Sequence, residues 1–99
     1  MELREDTAGT VHRLHTAGEL TIYSALELKP RLLGALAQKS ALEIHAGNVT
    51  EVDTAGIQLL LLAKREAAGA GKQLSLMTPS QSLREALGQC FLNEQLDHL

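Results

Sequence analysis

Ninety-nine residues, 44% of them hydrophobic and 21% charged, are enough to bury one core without disulfides or a structural metal. A net charge of −3 with neutral histidines, and no basic stripe, argue against nucleic acid as a partner. The lone cysteine, Cys90, excludes an internal disulfide, and the longest apolar run, residues 59–63, is far too short to span a bilayer.

The N-terminal MELREDTAGT lacks the apolar stretch of a signal peptide, so the expectation is one cytoplasmic domain over residues 1–99 with no membrane insertion. Aromatic residues are only Tyr23 and Phe91, which leaves the core to Leu, Ile, Val and Ala.

In chain order, residues 2–6 and 10–16 alternate apolar and polar around Ala8-Gly9 and predict a hairpin, with Gly18 ending the second strand. A first helix falls within 24–39. Ser24 and Glu27 have the spacing of a capping box, and Pro30 implies that the helix either begins near Lys29 or bends there. Residues 41–46 form a third strand, with Leu42 and Ile44 on one side and Glu43 and His45 on the other. After Gly47-Asn48, residues 49–52 are either a short extension of the sheet or an extended loop.

Residues 57–68 predict a Leu- and Ala-rich helix, stopped by Gly69-Ala70-Gly71. A strand at 73–77 follows, then a turn at Thr78-Pro79-Ser80 and a helix at 81–87, with Ser82 and Glu85 as its capping box and Gly88 at its end. A last helical turn is expected from Asn93, with Cys90 buried and Phe91 and Leu92 packed back onto the sheet.

The order β-β-α-β-α-β-α predicts an α/β fold, a mixed sheet of four to five strands with helices mainly on one face. The other face, carrying Arg13, His15, Glu43, His45, Gln73 and Ser75, is left to water or a partner.

The most informative stretch is Val-Thr-Glu-Val-Asp-Thr-Ala-Gly-Ile-Gln followed by four leucines, residues 49–62. Asp53 or Thr54 can accept bonds from the first N–H groups of the helix, and Gly56 permits a close approach to a neighbouring backbone. A helix N-terminus also favours an anion, and a phosphate on Thr54 would add about −1.5 to −2 charges beside Asp53. The plainer reading of these residues is a helix cap.

A strand running into Asp-[Ser/Thr]-x-Gly-[Leu/Ile] and an apolar helix resembles the signature of STAS domains, the fold shared by sulfate transporters and anti-sigma factor antagonists. Gly18-Glu19-Leu20, the strand at 41–46, Gly69–Gly71 with the strand at 73–77, and residues 80–87 match the family in order, so the resemblance covers nearly the whole chain. In the antagonists the hydroxyl after the Asp is phosphorylated by an anti-sigma serine/threonine kinase and dephosphorylated by a PP2C-type phosphatase. The resemblance thus implies Thr54 as phosphoacceptor, Asp53 as its acidic neighbour, and a partner surface that includes Thr21, Ala55, Gly56, Ile57 and Gln58.

Thr54 stands where many members have Ser, Thr21 where an Asp is frequent, and His45 where Asp or Asn is common. Other STAS proteins with Asp-Thr-x-Gly are small subunits bound to the ATPase of bacterial lipid-transport ABC systems, and others with Asp-Thr-Ala-Gly are linked to chemotaxis signalling. The expected function is a non-catalytic, bacterial partner-switching regulator, with the ABC-subunit role as the alternative.

Other chemistry is poorly represented. There is no Gly-x-Ser-x-Gly elbow, Walker loop or paired-carboxylate site, and Ala-Gly-Ala-Gly-Lys at 68–72 follows a helix and reads as its stop, so no catalytic residue or cofactor is expected. His15 and His45 can share a sheet face, but two ligands without cysteine support make a poor metal site; His12 and His98 add nothing to it. On the helix at 57–68 one stripe needs Ile57, Leu60, Leu61 and Ala68. Leu59 and Leu62 widen it, either into the core or into a partner surface.

Overall fold

A computed structural model describes residues 1–89 of the chain. The expected roles of Cys90, Phe91 and Leu92, the turn from Asn93 and His98 lie outside the described residues.

Strands β1 (Glu2–Ala8), β2 (Val11–Leu20), β3 (Ala41–Val52) and β4 (Gln73–Met77) form one sheet in the order β1-β2-β3-β4. The β1–β2 pair is antiparallel, and the β2–β3 and β3–β4 pairs are parallel. Helices α1 (Ile22–Gln38), α2 (Thr54–Gly69) and α3 (Gln81–Gln89) complete the α/β arrangement. The hairpin turns at Gly9, whose φ of +61° suits a residue without a side chain.

Strand β2 does not stop at Gly18 but runs on to Leu20, because the parallel partner β3 is longer than expected. Residues 49–52 are therefore strand rather than loop. The long β3 is accommodated by two extra residues. One lies between the pairs His15↔His45 and Ala17↔Asn48, the other between Gly18↔Val49 and Glu19↔Glu51. The first resets the alternation, so that Ala46 and Val49, three apart, are both buried. Thr16, buried at this break, donates its hydroxyl to the His45 carbonyl at 3.2 Å.

Helix α1 begins at Ile22, with Thr21 as N-cap. Ser24 sits at the third helical position, where its Oγ accepts from the Thr21 N–H at 2.8 Å, so the Ser24–Glu27 capping box is not formed. Pro30 lies inside the helix rather than starting it. Its ring faces solvent, and the carbonyl it leaves without a donor belongs to Leu26, also on the exposed side, where water can serve it.

Helix α2 begins three residues before the predicted start. Its buried face carries Gly56, Ile57, Leu59, Leu60, Ala63 and Ala67, so Leu59 widens the face into the core. Leu61 and Leu62 are half-buried against that core, and Ala68 is exposed. Helix α3 is capped by Ser80, whose Oγ accepts from the Leu83 N–H at 3.2 Å, not by Ser82, and it continues through Gly88 to Gln89.

Leu14, Leu28, Leu32, Leu42, Ile44, Leu83 and Leu87 are fully buried in one leucine-rich cluster between the sheet and the helices. At about 1.5–3 kcal/mol for each such side chain, this cluster dominates the stability. Replacing Pro30 by Ala restores a helix N–H and is expected to stabilise the fold by about 1–3 kcal/mol, net of the looser unfolded chain. The check is a higher urea midpoint at unchanged slope.

Candidate functional site

The parallel strands β2 and β3 end side by side, and each feeds a helix. At that junction Asp53 adopts an extended conformation and donates its N–H to the Leu20 carbonyl at 3.1 Å. Its side chain then serves both helices. Oδ1 accepts from the Gly56 N–H at 2.9 Å, capping α2, and Oδ2 accepts from the Ile22 N–H at 3.0 Å, capping α1. The Gly56 N–H, with further bonds from Ile22 and Ala55, holds the Asp53 carboxyl below its ordinary value; partial desolvation opposes this without reversing it.

Gly56 explains how close the two helix starts come. A Cβ there would overlap the Leu20 carbonyl oxygen and lie 2.7 Å from Leu20 Cγ.

Thr54 is the first residue of α2 and is exposed, as is Gln58 one turn later. Thr21, Asp53 and Ala55 are half-buried. Gly56 and Ile57 are buried, so of the residues expected on a partner surface these two shape it from beneath. At the α2 N-terminus the Gly56 N–H is already taken by Asp53, one of the two residues expected from sequence to cap this helix. A phosphate on Thr54 would therefore stand outside the helix end, beside a carboxylate that stays ionised.

Sequence reasoning missed the neighbouring surface. Ile22, Tyr23 and Leu26 on the first turns of α1 are 57%, 85% and 79% exposed. With a start placed at Ser24, two of the three fall outside the helix. Counted from Thr21 they fall out of phase with the buried stripe Ser24, Leu28, Leu32, Ala35 and Leu36. Tyr23 borders a shallow recess with Met1, Glu19, Thr21, Ser24 and Glu27.

The open sheet face brings together the residues expected there. His15 and His45 are register partners whose rings stack with centroids 4.7 Å apart. Asp6 accepts from Arg13 Nε at 2.6 Å and lies 3.3 Å from His15 Nε2, and Glu43 lies 3.0 Å from His45 Nε2. The hydrogen bond from Arg13 is the main cause that lowers the Asp6 carboxyl. Among the described residues no three His, Cys, Asp or Glu side chains converge as metal ligands, and no helix is long and apolar enough to cross a membrane.

The family described as "Mlab, STAS domain" matches the chain over residues 3–96. Three solved structures share the fold. An anti-sigma factor antagonist from Mycobacterium paratuberculosis has a TM-score of 0.85 at 16% identity, over 96% of this chain and 81% of that one. The Bacillus cell fate determinant SpoIIAA in its phosphorylated form has 0.76 at 15%, over 96% and 88%. A sulfate transporter family protein from Wolinella succinogenes has 0.73 at 20%, over 94% and 76%. At these identities the likeness concerns the fold alone. No curated protein matches the sequence.

Two outcomes test the junction. Gly56→Ala pushes a methyl against a backbone carbonyl and is expected to cost about 1–3 kcal/mol or more, read as a lower urea midpoint. For Asp53 the folded carboxyl lies below the ordinary 3.8, so its ionised form supports the fold above that value and the support fades as pH falls through the lowered one. Asp53→Ala should therefore melt below wild type at neutral pH, with a gap that narrows in acid.

Proposed function

The chain belongs to the STAS domain family, and we propose that it works there as a non-catalytic, partner-switching regulator in the manner of an anti-sigma factor antagonist. The observation that carries this reading is that Thr54, at the start of α2 beside the ionised Asp53, is an exposed residue. A separate serine/threonine kinase of the anti-sigma type transfers the γ-phosphoryl group of ATP to Thr54 Oγ1, leaving ADP and releasing the hydroxyl proton. A PP2C-type phosphatase returns the free hydroxyl by hydrolysis.

Unmodified Thr54 allows one partner to close over the α1–α2 end. The phosphate, about −1.5 to −2 charges, breaks that contact because it cannot be desolvated there and because it stands beside Asp53. Nothing in the domain need refold. That a SpoIIAA structure represents a phosphorylated form supports the same reading by likeness of fold. The chain supplies an acceptor and a surface in the cytoplasm, and the catalysis belongs to its partners.

A second reading has its own support in the family description, which names Mlab. On this reading the chain is a small subunit docked on the ATPase of a lipid-transport ABC complex, with Thr54 at the contact and unmodified.

The deciding experiment uses wild type, Thr54→Ala and Thr54→Glu as baits in lysate of the native cell, with mass spectrometry of the retained proteins. The switch predicts a kinase or signalling ATPase held by wild type and Ala and lost with Glu. It also predicts an ATP-dependent phosphoprotein mobility shift that Thr54→Ala abolishes. Retention of one transporter ATPase by all three baits would replace the switch with the subunit reading.

A further inference from the structure

Strand β4 is hydrogen-bonded to β3 alone, so among the described residues its outer side is a free edge of the sheet. Alternate backbone N–H and C=O groups of such a strand point outward without a ladder partner, which makes the edge a template for a further strand. A recess of about 330 Å³ runs along it. Gln73, Leu74 and Ser75 all line this recess. Successive strand residues point to opposite faces, so the recess follows the edge and not one face. Its other wall is the end of α2 and the turn after it, with Lys64, Ala68 and Lys72.

That wall is cationic. A second recess, lined by Leu61, Lys64, Arg65 and Ala68, continues from the first through Lys64 and Ala68. Among the described residues no carboxylate lines either one. Glu66 lies about 160° around α2 from Lys64. Glu43, the register partner of Ser75, stands on the open face and is engaged by His45. Lys72 is held in place by donating from Nζ to the Leu36 carbonyl, and an ammonium keeps two further donors. Lys39 belongs to the same end, one residue before Ser40, whose carbonyl accepts from the Gln73 N–H at 3.2 Å.

A backbone edge and a cationic wall together specify the occupant. The outward N–H and C=O groups call for an extended main chain, which a lipid headgroup or a free anion does not supply. The basic side chains call for carboxylates, and they oppose a neutral or basic strand at the same edge. A second copy of β4, Gln-Leu-Ser-Leu-Met, brings no carboxylate. We propose that the free edge of β4 accepts an extended acidic segment of a protein partner as a fifth strand of the sheet. The site lies about 20 Å along α2 from Thr54 and does not depend on the proposed switch. The carboxylates of the segment set its orientation and on-rate, and their contribution weakens as salt rises.

The test is an NMR titration of the isotope-labelled full chain with a short peptide that alternates valine and glutamate. Its valine–lysine counterpart and a glutamate peptide N-methylated at every central amide are the controls. Amide shifts are expected in residues 64–77, with main-chain NOEs between the peptide and residues 73–77. The N-methylated peptide, which cannot join a ladder, should not bind. Affinity should fall about tenfold in Arg65→Glu/Ala68→Glu, which should favour the lysine peptide instead, and Thr54→Glu should leave it unchanged. Both substituted side chains are exposed, and an unchanged urea midpoint shows that the double variant is folded.

Equal binding of the lysine peptide, retained binding of the N-methylated one, shifts confined to other surfaces, or unchanged affinity in the double variant would overturn the proposal. So would slow exchange of every β4 amide in the free chain, which marks an edge already occupied, or self-association through residues 73–77. The N-methylated peptide tests the edge without any substitution, so the outcome does not hang on the variant.

Discussion

Both helix starts depend on one carboxylate. Asp53 leaves strand β3 in an extended conformation and ties its N–H to Leu20 at the end of β2, and its two oxygens take the Gly56 and Ile22 N–H groups. Four unsatisfied N–H groups begin any helix, and here two such clusters lie side by side with their positive dipole ends together. An anion between them relieves both. Gly56 is the steric counterpart, since any larger residue would push α2 away from Leu20 and lengthen the bonds to Asp53.

This arrangement gives Thr54 its character. The preceding carboxylate accepts the Gly56 N–H of the helix, so Thr54 is left exposed with its hydroxyl unused by the cap. A group added there meets solvent, a standing negative charge and the neighbouring turns of α1, not a cradle of amides. The proposed switch is therefore one of exclusion: the phosphate alters what can approach, while the bonds that hold the helix starts are already made.

The sheet divides the molecule's tasks in a related way. One face is committed to Leu14, Leu42, Ile44, Leu74 and Leu76 beneath the helices. The other holds a network in which Asp6 pairs with Arg13 and His15 and His15 stacks on His45 across strands, while Glu43 meets His45 along β3. Opposite charges and stacked rings at neighbouring register positions stabilise an open face without making it apolar.

Much of this was legible in the chain, because it rests on local chemistry. Alternation at 10–16 and 41–46 marks half-buried strands, a Leu-rich run after Asp-Thr-Ala-Gly marks a buried helix with a capped start, and Gly69–Gly71 marks its end. The element order implies a mixed sheet with one covered face, and strand alternation puts Arg13, His15, Glu43 and His45 on the open one. The errors cluster at ends. Ser24 has the residue type and spacing of a cap, but Thr21 takes that place once Asp53 supplies a bond to Ile22 from 31 residues away. Gly18 has the look of a strand end, but the ladder with β3 carries β2 past it to Leu20.

Local pattern alone thus marks which segments are helix and strand, which faces are apolar, and that Asp53 and Thr54 stand where a strand meets a helix. Those properties follow from periodicity and from the hydrogen-bonding habits of single residues. The packing of the elements is what makes Asp53 cap two helices, puts Gly56 and Ile57 under the surface, and leaves Ile22, Tyr23 and Leu26 standing out of it. Each of these depends on how β2 and β3 align, and that register is set by bulges and by packing across the sheet, which no local pattern encodes.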